Sequence, residues 1–113
     1  MNKLPNISKM LNVFISQPMA GKTDEEILQI RKEIKEKLIK LYPDNEIWIL
    51  DSYVHEDPTS QNPALWMLGK SLEILAEADI VYFAKGWNKA RGCFIEHLAA
   101  QKYGIEIVYE TRL

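Results

Sequence analysis

A single cysteine, few glycines and no long apolar run mark this 113-residue chain, and each scarcity removes a class of protein. A lone thiol, Cys93, leaves no intrachain disulfide and no cysteine-built zinc site, and it suits a reducing compartment. No apolar stretch approaches the ~18 residues of a membrane span. The polar first ten residues lack the apolar core of a signal peptide, so the chain reads as cytoplasmic. Lys and Arg number 14 against 16 Asp and Glu, a net charge of -2. With no basic block among them, neither a nucleic acid polymer nor an anionic membrane is attracted. The glycines never form G-x-G-x-x-G, which a dinucleotide site would need. Gly21-Lys22-Thr23 ends like a phosphate-binding loop, but Ser16 stands where the first glycine of that loop belongs. His55 and His97 have no carboxylate or cysteine partners at metal spacing, so no metal and no cofactor is expected.

What is present alternates strand and helix patterns. Residues 1–10 read as a lead-in, and residues 11–113 as one domain. Leu11 to Ser16 reads as the first strand, ending before Pro18, which cannot donate to a ladder. Thr23 or Asp24 then caps a helix whose first turn holds Glu25 and Glu26, matching the positive end of the helix dipole. Ile27, Ile30, Ile34, Leu38 and Leu41 recur at spacings of three and four, one apolar stripe running to Tyr42-Pro43. The charges on its other face read as solvated surface. Glu46 to Leu50 is a second strand, and the polar stretch Asp51 to Pro63 leaves it. Ala64 to Glu77 has helical spacing. Ile80-Val81-Tyr82-Phe83-Ala84 is short, β-branched and aromatic, as a buried parallel strand should be. After a loop to Arg91, Gly92 opens a helix that Gly104 stops, and Ile105 to Tyr109 is the last strand. This order predicts a three-layer α/β domain with a parallel sheet of about four strands flanked by helices.

Open α/β sheets bind ligands outside the carboxyl ends of their strands. Ser16 to Lys22, Asp51 to Pro63 and Lys85 to Gly92 should meet there, giving a pocket with Ser16, Gln17, Met19, Lys22, Trp87, Arg91 and Glu96. Such a set can stack on a ring, hydrogen-bond it, meet an anion and present one carboxylate. Glu96 falls in the first turn or so of its helix. Cys93 has no readable histidine partner, which argues against thiol chemistry. Asp79 precedes the third strand at its amino end, where orienting the helix-to-strand turn is the better role. Asp51 reads equally as a ribose-hydroxyl contact or as a turn residue.

Phe14-Ile15-Ser16-Gln17-Pro18-Met19, Ala78-Asp79 before an apolar strand, and Gly86-Trp87…Arg91-Gly92-x-x-x-Glu96-x-x-x-Ala100 together resemble the nucleoside 2-deoxyribosyltransferase-like superfamily. The chain is most similar to its short DUF4406-type, often phage-associated branch, over residues 11–109. The resemblance implies a flavodoxin-like (Rossmann-like) fold and cleavage or transfer of the N-glycosidic bond of a nucleoside or nucleoside monophosphate. It implies Glu96 as nucleophile, near enough to a helix N-terminus to be held ionised. It also implies a ligand site of Ser16, Gln17, Pro18, Met19, Gly21, Lys22, Gly86, Trp87, Arg91 and Gly92, with Trp87 or Met19 over the base and Lys22 or Arg91 at a 5′-phosphate. Gly92 would let the backbone pass the sugar. A homodimer or higher homo-oligomer is implied as well. The chain departs from the active relatives at Phe14, where they carry a tyrosine, at Ser71, where they carry an aspartate, and at Ala90, where they carry a polar residue. Asp51 or His55 would then be the available substitutes. The alternative is a non-catalytic nucleotide-binding module on the same fold.

Overall fold

The structure is a computed structural model, and it describes residues 9–53 and 59–111. Its elements follow the expected order: strand β1 (Lys9–Ser16), helix α1 (Asp24–Leu41), strand β2 (Asn45–Ile49), helix α2 (Pro63–Leu75), strand β3 (Ile80–Phe83), a single 3-10 turn (Trp87–Lys89), helix α3 (Arg91–Lys102) and strand β4 (Glu106–Tyr109). The four strands form one parallel sheet in the order β2-β1-β3-β4. This is a three-layer, flavodoxin-like α/β architecture, as the sequence predicts.

Alternation along the strands builds two cores. Val13, Ile15, Ile80 and Tyr82 point to one face, where they pack with Ile34 and Leu38 of α1. Phe14, Val81 and Phe83 point to the other, where they pack with Leu75 of α2 and with Cys93 and Ala100 of α3. Parallel strands buried on both faces lose their polar alternation, which is why β3 reads as a continuous apolar run. The chain steps one way from β1 to β2, then the other way to β3 and β4. With crossovers of constant hand, that reversal puts α1 on one face and α2 and α3 on the other. It also parts the connections leaving β1 and β3, the place where ligands of such sheets bind.

Local chemistry sets the element ends. Thr23 is the N-cap of α1: its hydroxyl accepts from the Glu26 amide at 3.1 Å, and the Glu26 carboxylate accepts from the Thr23 amide at 2.9 Å. Asn62 caps α2 through the Leu65 amide, with Pro63 as first helical residue. Asp79 has the structural part expected of it: its carboxylate accepts from the Asn12 amide at 2.8 Å and its own amide donates to the Asn12 carbonyl. Several boundaries move by one or two residues. β1 starts at Lys9, inside the expected lead-in, because Lys9 and Met10 pair with Asn45 and Glu46. α3 starts at Arg91, with Ala90 as N-cap, so Gly92 lies inside the first turn.

Candidate functional site

A cleft of about 430 Å³ opens at the carboxyl edge of the sheet, on the face that carries α2 and α3. Phe14 and Ser52 bring the ends of β1 and β2 to it, Met19 and Ala20 the loop after β1, Met67 and Leu68 the helix α2, and Gly92 and Glu96 the helix α3. Glu96 is buried, 7% exposed, and accepts a 2.7 Å hydrogen bond from the Ser16 hydroxyl, which is buried at the last residue of β1. Ser16 lies 80 residues away in sequence, so parallel pairing of β1 with β3 is what delivers its hydroxyl to α3.

The charge state of Glu96 corrects one expectation. It is the sixth residue of α3, beyond the unpaired amides of the first turn, and the dipole benefit fades over that turn. Burial dominates instead and raises the carboxyl from its ordinary 4.5 to about 7, against the opposing pull of the Ser16 hydrogen bond. Near neutral pH the group therefore stands between its protonated and ionised forms. Cys93, one turn earlier, is buried with its thiol raised to about 11, mainly by desolvation, so it stays a protonated packing residue.

Of the expected site residues, Gln17, Pro18, Met19, Arg91, Gly92 and Glu96 line this cleft, and Ser16 reaches it through Glu96. Others stand elsewhere. Trp87 is 5% exposed and belongs to the core, with its ring 4.1 Å from His97 and 5.2 Å from Phe83. It cannot cover a base in the cleft, because the 3-10 turn carries it over the end of β3 and down onto the sheet. Its indole N–H has no acceptor among the described residues. Lys22 lines a separate hollow of about 270 Å³ on the α1 face, together with Lys37, Lys85 and Glu110. Gln17 and Pro18 form the wall between the two hollows. Gly21 is an exposed turn residue at φ +78° outside both linings. Gly86 uses its φ of +86° to start the 3-10 turn against Pro18. Asp51 is exposed beside the cleft, and its neighbour Ser52 is the lining residue. His55 lies outside the described residues. His97 shares a 2.6 Å hydrogen bond with Tyr109.

Phe14, Ser71 and Ala90 all line the cleft. Met19, Met67 and Leu68 supply its apolar surface, and Lys89 and Arg91 are exposed at its rim. A side chain at Gly92 would meet no protein atom within 4 Å; its missing Cβ leaves open space in the cleft.

Arg31 is the residue that the sequence pattern hides. It stands among the charges of α1 yet is only 8% exposed. Its Nη1 donates to the Gln17 side-chain oxygen at 3.2 Å, and its Nη2 to the Leu50 carbonyl at 3.0 Å and the Ser52 hydroxyl oxygen at 3.3 Å. Desolvation lowers its pKa, with the Asp51 charge opposing. The available signal was positional: Arg31 follows Ile30 and sits four residues after Ile27 and three before Ile34, squarely within the apolar stripe.

The fold and the cleft define a flavodoxin-like α/β domain with a buried carboxylate at its sheet edge. No protein-family model matches the chain, and neither does any curated protein. A solved structure, described as a conserved protein from Enterococcus faecalis V583, is similar with a TM-score of 0.61 at 17% identity. The match covers 88% of this chain and 62% of that one, so the chain spans less than two thirds of that structure's length. At this identity the likeness is one of fold.

Proposed function

We propose that the chain cleaves or transfers the N-glycosidic bond of a nucleoside or nucleoside monophosphate, with Glu96 as nucleophile. The observation that carries this reading is a buried carboxylate, held by Ser16, facing an open apolar cleft at the sheet edge. An ionised Glu96 oxygen forms a bond to the anomeric carbon as the carbon–nitrogen bond breaks. The electron pair leaves with the base, which takes a proton from solvent. A water or a second base then displaces the carboxylate, and two inversions retain configuration. Met19, Met67 and Leu68 give the base an apolar surface, and Arg91 and Lys89 are the cations within reach of a 5′-phosphate.

A specific observation also favours a second reading, a non-catalytic nucleotide-binding module. Glu96 is the sole carboxyl group among the residues lining the cleft. Phe14 brings no hydroxyl there, and Ser71 and Ala90 bring no acid to assist the departing base. A missing proton donor slows such a step by roughly 10²–10⁴.

Base release from a panel of deoxynucleosides and their monophosphates, run beside Glu96→Ala, separates the two. Release that vanishes in the variant supports the glycosidase. No release, with the melting temperature still raised by a nucleotide, supports the binding module. No response to any of these compounds overturns both. The reading includes a homodimer: Leu65 is 61% exposed on α2, and Phe94 54% and Leu98 47% exposed on α3, an apolar surface over two packed helices. Light scattering at the monomer mass across micromolar concentrations would refute the dimer.

A further inference from the structure

Arg31 has no task in the reaction proposed above, although it is buried behind the cleft. We propose that it sets the hydrogen-bonding polarity of the wall made by the ends of β1 and β2, so that this wall takes the part of a ligand bearing acceptor oxygens. Those oxygens belong either to a base carbonyl or to a phosphate. The inference rests on the nucleoside reading and narrows it.

A guanidinium carries donors and no acceptor. Each group bonded to it must therefore turn an acceptor its way. Gln17 turns its side-chain oxygen to Arg31 at 3.2 Å, and its Nε2 already donates to the Ile27 carbonyl at 3.4 Å. Gln17 keeps the second N–H of that nitrogen as a free donor, while its oxygen is turned toward Arg31. Ser52 accepts from Arg31 at 3.3 Å, leaving its O–H proton free to donate. Gln17 and Ser52 are both 4% exposed, and both line the cleft. Two groups that can ordinarily play either part thus keep a free donor each while their oxygens are engaged by the guanidinium, which biases the wall toward donating. The acceptors of Arg31 are all neutral, and the Asp51 carboxylate acts on it only through space. Positive potential therefore reinforces the donor character of the wall. Glu96, with its Ser16 bond, is the acceptor across the cleft. A lysine at position 31 would keep the charge but not the planar fork that reaches three acceptors on two strand ends.

An amino group placed against this wall would oppose donor to donor and leave buried groups unpaired, which is costly. Specificity, rather than affinity alone, is therefore the readout. Binding is measured by calorimetry in the Glu96→Gln background, which prevents turnover, with deoxyuridine, deoxycytidine and their 5′-monophosphates as probes. Deoxycytidine replaces one base carbonyl by an amino group; the monophosphates add the other oxygen source. Arg31→Lys and Ser52→Ala are the test substitutions, the second sparing the Arg31 bonds to Gln17 and Leu50. If the wall reads a carbonyl, the preference for deoxyuridine over deoxycytidine falls about tenfold in both variants. If it reads a phosphate, the preference for monophosphate over nucleoside falls by about the same factor. Equal weakening for all four probes, or unchanged ratios, overturns the proposal. Unchanged ratios alongside base release in the wild-type protein overturn it alone, leaving the glycosidase reading in place. Binding of none of the probes overturns both.

Discussion

Glu96 should destabilise the protein that depends on it. Burial raises its carboxyl from 4.5 to about 7, so between those values the folded chain keeps a proton that the unfolded chain has released. With the folded pKa above the unfolded one, the stability linked to this group is greatest below about pH 4.5. It declines as pH rises and levels off above about pH 7, where the ionised carboxylate is buried at full cost. The gap between 4.5 and about 7, at 1.36 kcal/mol per pKa unit, is worth about 3 kcal/mol. Glu96→Gln keeps the shape and leaves a carbonyl to accept from the Ser16 hydroxyl, 2.7 Å away in the wild type, but it cannot ionise. The variant should exceed the wild type by about 3 kcal/mol at about pH 8, and by little near pH 4.5. For a domain of this size that is a melting-point increase on the order of 10 °C at the higher pH. Urea unfolding of both proteins across this range is the assay. Carboxylates far from the site titrate alike in both and drop out of the difference. A stability difference that does not change with pH, or a wild type that gains on the variant as pH rises, would refute the argument that burial dominates at Glu96.

Other consequences are equally direct. Base release should rise with pH through about 7 as Glu96 ionises; Ser16→Ala removes the bond that lowers this pKa and should move the rising limb upward, whereas a flat profile would deny Glu96 its part. Gly92→Ala places a methyl where no protein atom lies within 4 Å. Stability should hold or gain up to about 1 kcal/mol, while nucleotide affinity measured by calorimetry falls. Thr23→Ala removes the hydroxyl that accepts from the Glu26 amide, while the backbone N–H of residue 23 can still donate to the Glu26 carboxylate, and should cost about 1 kcal/mol in urea unfolding without altering ligand binding. Cys93, buried with a thiol near 11, should resist iodoacetamide at about pH 8 in the folded protein and react once urea unfolds it.

The fold was legible because its signals are local and repeated. The α1 stripe at Ile27, Ile34 and Leu38, the cap signal at Thr23-Asp24 with Glu25 and Glu26 behind it, and the run Ile80 to Phe83 each name an element without help from the rest of the chain. The site was legible only in part, since a linear pattern places residues at the sheet edge but does not say on which face. Glu96, Met19 and Gly92 line the cleft, whereas Lys22 stands on the α1 side of the Gln17-Pro18 wall and Trp87 turns into the core. Both missed positions follow from backbone geometry: the loop after β1 straddles two hollows, and Gly86 reverses the chain into the 3-10 turn. Arg31 was hidden for another reason. Its burial depends on acceptors from β1, β2 and the segment after β2, none of which helical periodicity on α1 can announce.

The stack of Trp87 on His97 places an optical label on the helix that carries Glu96. The imidazole follows the carboxylate directly in sequence, and it lies 4.1 Å from the indole in near-parallel contact. A protonated imidazole in such contact quenches indole emission, and a small shift of α3 alters the overlap of the rings. Trp48 and Trp66 emit as well, so replacing each with Phe would leave Trp87 as the sole emitter. Its intensity would then follow two events in one cuvette: titration of His97, whose pKa burial holds below the usual imidazole value, and any displacement of α3 when a ligand enters on the other side. The protein thus carries a fluorescent readout of its own site, without an added dye and without a substitution in the cleft.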